Sequence, residues 1–252
     1  MSSTSLEGHV AVITGASKGL GRQMAESLAA AGASVAVVAR SKNLLDEVVE
    51  SITAKGGKAT AIVADVSDDV AVADVAERVP EVLGTCDILI NNAGINNRKA
   101  VDEFTTKEWN EIVGINLTAP FLMCRACVPG MKEKNWGRII NMTSIMSHVS
   151  LPLRTGYSAT KAGLLGMTKA LALELASHKI TANGISPGPF ATEMNKPILD
   201  DLERNAQFLS RIPAGRWGKL EEIGSLAVYL CSEDAGFITG TDIVIDGGWI
   251  AQ

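Results

Sequence analysis

Apolar positions along this chain follow two alternating rhythms. Nearly unbroken apolar runs occupy His9–Thr14, Ser34–Ala39, Ala59–Ala64, Cys86–Asn91, Arg138–Thr143, Thr181–Ser186 and Asp242–Asp246. Such runs suit parallel strands covered on both faces. Between them, Leu20–Ala31, Leu44–Lys55, Val70–Leu83, Lys107–Lys134, Gly156–Ser177 and Glu221–Cys231 read as amphipathic helices. Gly32, Gly56, Gly57 and Gly84 punctuate helix ends. The alternation predicts an α/β fold, a doubly wound parallel sheet with right-handed crossovers. No linker or low-complexity stretch divides residues 1–252, so one domain is expected. The rhythm breaks only from Pro187 to Gly218, which is rich in Pro and Gly at its ends with a polar helical stretch near Pro197–Ser210. That excursion reads as a substrate lid, or else as a solvated insertion.

Composition narrows the class. The 252 residues are 46% hydrophobic and 20% charged, with a net charge of -5 and scattered basic residues. A sizeable core is affordable, while nucleic acid and anionic membrane surfaces are not expected partners. Met1–Leu6 lacks the basic and apolar regions of a signal peptide. No apolar run suggests a bilayer span, for which about 20 residues are needed. A cytoplasmic protein is expected. Cys86 and Cys231 read as core residues. Cys124 and Cys127 match the CxxC spacing but sit mid-helix without a second ligand pair, so no metal site is expected.

Candidate chemistry begins after the first strand, at Thr14-Gly15-Ala16-Ser17-Lys18-Gly19-Leu20-Gly21. Glycines between a strand and a helix let the backbone approach a pyrophosphate, which the helix N-terminus stabilises. Gly15, Ser17, Lys18, Gly19, Leu20 and Gly21 are therefore cofactor candidates. NAD sites place an acid near the end of the second strand, but here Ala39 is followed by Arg40. Arg40 and Lys18, with no carboxylate at that position, suit a 2′-phosphate, so NADP(H) is the expected cofactor. Asp65 and Val66 follow the third strand, the aspartate as an adenine contact or a cap. Asn91, Asn92, Ala93 and Gly94 end the fourth, where the backbone could pass a ribose.

Tyr157 and Lys161 are four apart and share one face of a helix. A phenol with an ordinary pKa of about 10 is a poor proton donor near neutrality, and a neighbouring ammonium favours the phenolate. A hydroxyl such as Ser144 could hold a substrate oxygen beside it.

In these motifs, in this order, the chain resembles the classical short-chain dehydrogenase/reductase family over nearly its whole length. The resemblance rests on Thr14–Gly21, Asp65, Asn91–Gly94, Asn116, Ser144, Tyr157 with Lys161, Pro187-Gly188 with Thr192, and Asp246-Gly247-Gly248. It implies a single Rossmann-like domain with a seven-stranded parallel sheet, hydride transfer between a nicotinamide and a small carbonyl or alcohol substrate, and a homotetramer. It also implies roles: Tyr157 as acid/base, Ser144 holding the carbonyl, Lys161 touching the ribose and modulating the phenol. Asn116 resembles the family's helix-distorting asparagine that holds a relay water. Pro187, Gly188 and Thr192 resemble residues flanking the nicotinamide. The substrate wall is expected from Ile145, Met146, His148, Arg154, Phe190, Met194 and Pro197.

The expected activity is that of an NADPH-dependent carbonyl reductase or alcohol dehydrogenase. Two narrower alternatives are a gluconate 5-dehydrogenase, suggested by Asn96-Asn97-Arg98 and Pro213–Gly218, and a 3-oxoacyl-carrier-protein reductase. Leu173 before Glu174 counts against carrier docking. A cofactor-binding sensor or scaffold is a third reading, disfavoured by the intact Tyr157 and Lys161. The apolar faces of the two long helices and the Gly247–Gln252 tail suggest subunit interfaces.

Overall fold

The computed structural model describes residues 4–252, and the side chain of Met194 lies outside the described residues. Seven strands form one parallel sheet: β1 (Val10–Thr14), β2 (Ser34–Ala39), β3 (Lys58–Val63), β4 (Ile88–Asn91), β5 (Gly137–Met142), β6 (Ile180–Pro187) and β7 (Asp242–Ile245). Their order is β3-β2-β1-β4-β5-β6-β7, and it reverses between β1 and β4. The helices are α1 (Gly19–Ala30), α2 (Lys42–Thr53), α3 (Asp69–Val82), α4 (Thr106–Val113), α5 (Ala119–Lys134), α6 (Thr155–Leu175), α7 (Lys196–Leu199), α8 (Leu202–Leu209) and α9 (Leu220–Cys231).

Apolar runs became strands here because both sheet faces are covered. In β1, Ala11 and Ile13 pack with Met24 and Leu28 of α1, Leu45 and Val48 of α2, and Ile223 and Leu230 of α9. Their neighbours Val10 and Val12 pack on the other side with Val72 and Val75 of α3, Leu122 and Met131 of α5, and Leu175 of α6. Side chains alternate across the sheet, so only a continuous apolar run satisfies both layers.

Four differences from the sequence expectation have local causes. The fourth strand starts at Ile88, not Cys86, because the Asp87 carboxylate accepts the Val10 N–H at 2.9 Å. The expected Lys107–Lys134 helix is divided by a π turn, Gly114–Thr118, with Asn116 fully buried inside it. The expected lid helix is two short ones, α7 and α8. They break at Asp200-Asp201, where the Asp201 carboxylate accepts the Arg204 N–H at 3.1 Å. Contrary to expectation, Thr106–Lys134 is by length and composition apolar enough to cross a membrane, with a mean hydropathy of 1.4. Leu122, Met123, Cys124, Cys127 and Met131 of that segment are buried in the packing of the second sheet face.

All four cysteines are free and buried. Burial pushes the Cys124 and Cys231 thiols up to about 12. Cys86 and Cys231 are core residues, as expected, and Cys124 and Cys127 lie in the core as well.

A buried polar chain fastens α6 to the middle of the sheet. Asn91 and Asn141 are paired across β4 and β5. Asn91 Nδ2 donates to Asn141 Oδ1 at 2.9 Å, and Asn141 Nδ2 donates to Thr168 Oγ1 at 2.9 Å. The Thr168 hydroxyl donates to the Leu164 carbonyl at 2.8 Å. Unpaired buried amides are costly, so Asn141→Ala should lose about 1–3 kcal/mol of stability. Thermal unfolding should show this as a midpoint several degrees lower, at about 2–4 °C per kcal/mol. An unchanged midpoint would contradict the role given to this chain.

Candidate active site

A cavity of about 550 Å³ opens where the strands end, lined in turn by the loops that follow β1 through β6. Ligands in open α/β sheets bind at the carboxyl ends of strands, where the strand order reverses. Here the reversal lies between β1 and β4.

The β1 loop is shaped for close backbone approach. Gly15 adopts φ +64°, and a Cβ there would lie 2.8 Å from the Ala93 Cα. Asn92 Nδ2 donates to the carbonyls of Thr14 and Gly15, both at 3.0 Å. The N–H groups of Asn92 and Ala93 donate to Thr14 Oγ1 at 3.0 and 3.1 Å. Asn92 therefore ties β1 to β4, as its position suggested. Gly19 adopts φ +57°. No side chain caps the N-terminus of α1, which leaves first-turn N–H groups for an anion. Ser17, Lys18, Leu20 and Gly21 complete this part of the lining. These groups fit a dinucleotide pyrophosphate.

The expected 2′-phosphate cations are both present, and each faces an acid. Arg40 Nη1 lies 3.7 Å from Asp65 Oδ2, and Lys18 Nζ lies 2.9 Å from Glu193 Oε2 in the segment after β6. Both pairs are exposed, so each holds weakly and can be exchanged for a phosphate. Asp65 also accepts from Ser67 N at 3.0 Å and Ser67 Oγ at 2.7 Å. The Ser67 hydroxyl bond, and then Arg40, hold its carboxyl below the ordinary range. Val66, Gly94, Pro187, Gly188 and Thr192 also line the cavity.

The far end holds the proton-transfer groups. Ser144 caps the start of a short 3-10 turn, Ile145–Ser147, with its Oγ accepting the Met146 N–H at 3.1 Å. Tyr157 sits in the first turn of α6, where the Ser144 hydroxyl pulls its pKa down. Lys161 is 5% exposed, and its Nζ donates to the Met142 carbonyl at the end of β5, 2.5 Å away. Burial pulls its pKa down to about 8. The ammonium stands 5.6 Å from the Tyr157 ring centroid.

One expectation fails here: Lys161 does not bring the phenol toward neutrality. Burial pushes Tyr157 above its ordinary value, against the opposing pull of the Ser144 hydrogen bond and then the Arg154 guanidinium. Lys161 stands over the ring and donates to the Met142 carbonyl, and burial outweighs the charges around the phenol.

Asn116 does not line the cavity. Its Nδ2 donates to Ile95 O at 2.9 Å and Thr160 Oγ1 at 3.2 Å, and its Oδ1 accepts the Ile95 N–H at 2.8 Å. Thr160 in turn donates to the Tyr157 carbonyl at 2.8 Å. The π turn thus aims this amide at the strand-β4 loop and at α6, where it braces the tyrosine.

Of the expected substrate wall, Ile145, Met146, Arg154 and Phe190 line the cavity with Ser144. His148 does not: its Nε2 lies 2.7 Å from Asp242 Oδ2 of β7. The 3-10 turn carries Ile145 and Met146 toward the cavity, whereas His148 just beyond it joins the β7 carboxylate. Pro197 also lies outside the lining, and the Met194 side chain falls outside the described residues. Asn96, Arg98, Leu151, Phe208 and Trp249 line the cavity without having been anticipated as site residues. The motif containing Asn96 and Arg98 was a signal for the first two; Trp249 was read as an interface residue.

A phenol held by a serine, at one end of a cleft whose other end suits a dinucleotide, is equipped to exchange a proton with an oxygen while hydride moves at the adjoining carbon. This defines an oxidoreductase of the CH–OH/C=O couple. Residues 15–250 match the family model described as enoyl-(acyl carrier protein) reductase. The chain is 38% identical over 244 residues to gluconate 5-dehydrogenase of Gluconobacter oxydans (strain 621H), covering 97% of this chain and 95% of that one. It is 37% identical over 242 residues to the 3-oxoacyl-[acyl-carrier-protein] reductase of Escherichia coli (strain K12), covering 96% and 97%. A solved gluconate 5-dehydrogenase from Burkholderia cenocepacia J2315, in complex with NADP and tartrate, superposes with a TM-score of 0.94 at 32% identity, covering 99% of this chain and 98% of that one. The chain belongs to the short-chain dehydrogenase/reductase family.

Because Arg154 lowers the Tyr157 phenol, Arg154→Ala should shift the rising limb of the pH–rate profile for oxidation of an uncharged alcohol toward higher pH. Oxidation needs the phenolate, so raising the phenol pKa delays its onset as pH increases. A limb that stays in place would contradict the assigned influence of Arg154.

Proposed function

We propose that this chain is an NADPH-dependent carbonyl reductase, working in reverse as a secondary-alcohol dehydrogenase. The observation that carries the reading is the meeting of Ser144, Tyr157 and Lys161 in the lining of one cavity that starts at the Gly15–Gly21 loop. Bound NADPH would supply the hydride, and NADP would accept it in reverse. Ser144 orients the carbonyl oxygen toward the phenol. Tyr157 gives that oxygen its proton in reduction and takes it back in oxidation. Lys161, in the same lining, holds the cofactor ribose and is fixed by the Met142 carbonyl. Asn116 and Thr160 position Tyr157 through backbone and helix contacts. The segment from Pro187 to Gly218 serves as a lid on one domain; Phe190, Thr192, Glu193 and Phe208 of that segment line the cavity.

NADP(H) is supported by Ala39 where an NAD site would carry an acid, with Arg40 and Lys18 in the same lining. It is further supported by the NADP in the B. cenocepacia relative. Four free, buried thiols suit a reducing cytoplasm. A homotetramer is supported by apolar side chains facing outward: Phe121 of α5 at 50% exposure, Leu173 of α6 at 85%, and Phe237 before β7 at 103%. Light scattering should return four times the 26.5 kDa chain mass; a monomer at micromolar concentration would refute that assembly.

Tyr157→Phe should abolish turnover while cofactor still quenches or shifts the intrinsic fluorescence with wild-type affinity. Near-normal turnover would refute the assignment. Arg40→Ala should raise KM for NADPH about ten- to hundredfold, the worth of a charge-assisted contact, and leave KM for NADH little changed. Equal effects on both cofactors would place Arg40 away from the 2′-phosphate.

A further inference from the structure

Beyond Tyr157 the cavity lining divides into two chemistries, and neither suits a sugar. One part is cationic. Arg98, in the loop after β4, and Arg154, at the N-terminus of α6, both line the cavity. Arg154 Nη1 donates to Asn96 Oδ1 at 2.8 Å, and among the described residues neither arginine has an acidic partner. Other guanidinium groups find acids: Arg216 lies 2.6 Å from Glu222 and Arg125 lies 2.9 Å from Asp69. Burial, and then the like charge of Arg98, depress the Arg154 pKa. A guanidinium does not escape that cost by losing its proton. An anion close to both would relieve it, and a carboxylate matches the planar fork.

The other part is apolar and aromatic. Met146, Leu151, Phe208 and Trp249 line the same space and belong to one cluster, against which the Tyr157 ring also packs. Phe208 is stacked on Trp217 at 5.5 Å and leans on Trp249 at 5.2 Å, so this surface is braced from behind. Hydroxyl groups of a polyol laid against it would give up water without gaining partners. A flat or branched apolar group would be covered.

We infer that the substrate is a keto acid, or the matching hydroxy acid, carrying an apolar or aromatic group on the far side of the carbonyl. The acid meets Arg98 and Arg154, the oxygen meets Ser144 and Tyr157, and the apolar group meets Phe208 and Trp249. This rests on the carbonyl-reductase reading and separates this chain from an enzyme of polyhydroxy acids. Tyr157 stands at the junction, packed in the apolar cluster and sensing the Arg154 charge.

The test is NADPH oxidation by the full chain with benzoylacetate, its ethyl ester, acetoacetate and 5-ketogluconate, with the alcohol product identified. The expected result is a kcat/KM for benzoylacetate at least tenfold above each of the other three. In Arg98→Ala the ratio of acid to ester should fall tenfold or more, and Arg98→Lys should recover part of it. That ratio is insensitive to the fraction of folded enzyme. An ester reduced as well as the acid, a preference for 5-ketogluconate, or a ratio unmoved in Arg98→Ala overturns the inference and leaves the reductase reading standing. No NADPH oxidation with any of the four carbonyls overturns the reductase reading and this inference with it.

Discussion

The attachment of one helix to the ends of two strands governs the chemistry of this molecule. Helix α6 carries both Tyr157 and Lys161, and its position is set where β4 and β5 finish. The Asn91–Asn141–Thr168 chain fixes its middle, and the Lys161 ammonium on the Met142 carbonyl fixes its first half. A buried ammonium bears a desolvation cost, visible in a pKa drawn down to about 8. That cost is tolerated because the carbonyl at the strand end offers a partner that water would otherwise supply. Ser144 follows two residues after Met142, so the same strand that holds the lysine delivers the serine to the tyrosine.

The π turn is the second consequence of this arrangement. A regular helix through residues 114–118 would follow α4 and α5 without interruption; the extra residue in the turn brings Asn116 inward. There it bridges Ile95, at the cofactor side of the cavity, to Thr160 beneath Tyr157. The loop after β4 and the first turn of the helix that carries Tyr157 are therefore held by one amide.

Much of this was legible in the sequence, and the reasons are physical. Strands buried on both faces leave continuous apolar runs, so Ser34–Ala39 was bounded correctly and its neighbours to within a residue or two. The glycine loop and the Tyr157–Lys161 spacing are local, and local geometry follows local sequence. What was not legible depends on direction. His148 stands four residues after Ser144, yet a 3-10 turn aims it at Asp242 of β7, whose partnership with it spans 94 positions. Trp249 and Phe208 come from the tail and from α8, which only the closed fold brings beside Tyr157. The phenol pKa was misjudged because chain spacing gives the distance between two residues, not the burial of either. Lys18 and Arg40 were recognised as cations, whereas their acidic neighbours Glu193 and Asp65 required the segment after β6 and the third strand to be in place.

The family and the site agree on the reaction, while near-equal identity to a gluconate 5-dehydrogenase and to a 3-oxoacyl-carrier-protein reductase leaves the substrate to the cavity wall. The central claim is that hydride passes directly between a nicotinamide and the carbon of a carbonyl held at Ser144 and Tyr157. Its most direct test is reduction of an active ketone with NADPH deuterated at one or the other face of nicotinamide C4, followed by mass spectrometry and NMR of the alcohol. The account predicts one deuterium on the carbinol carbon from one face only, even in ordinary water. Alcohol without deuterium from either labelled cofactor would contradict it.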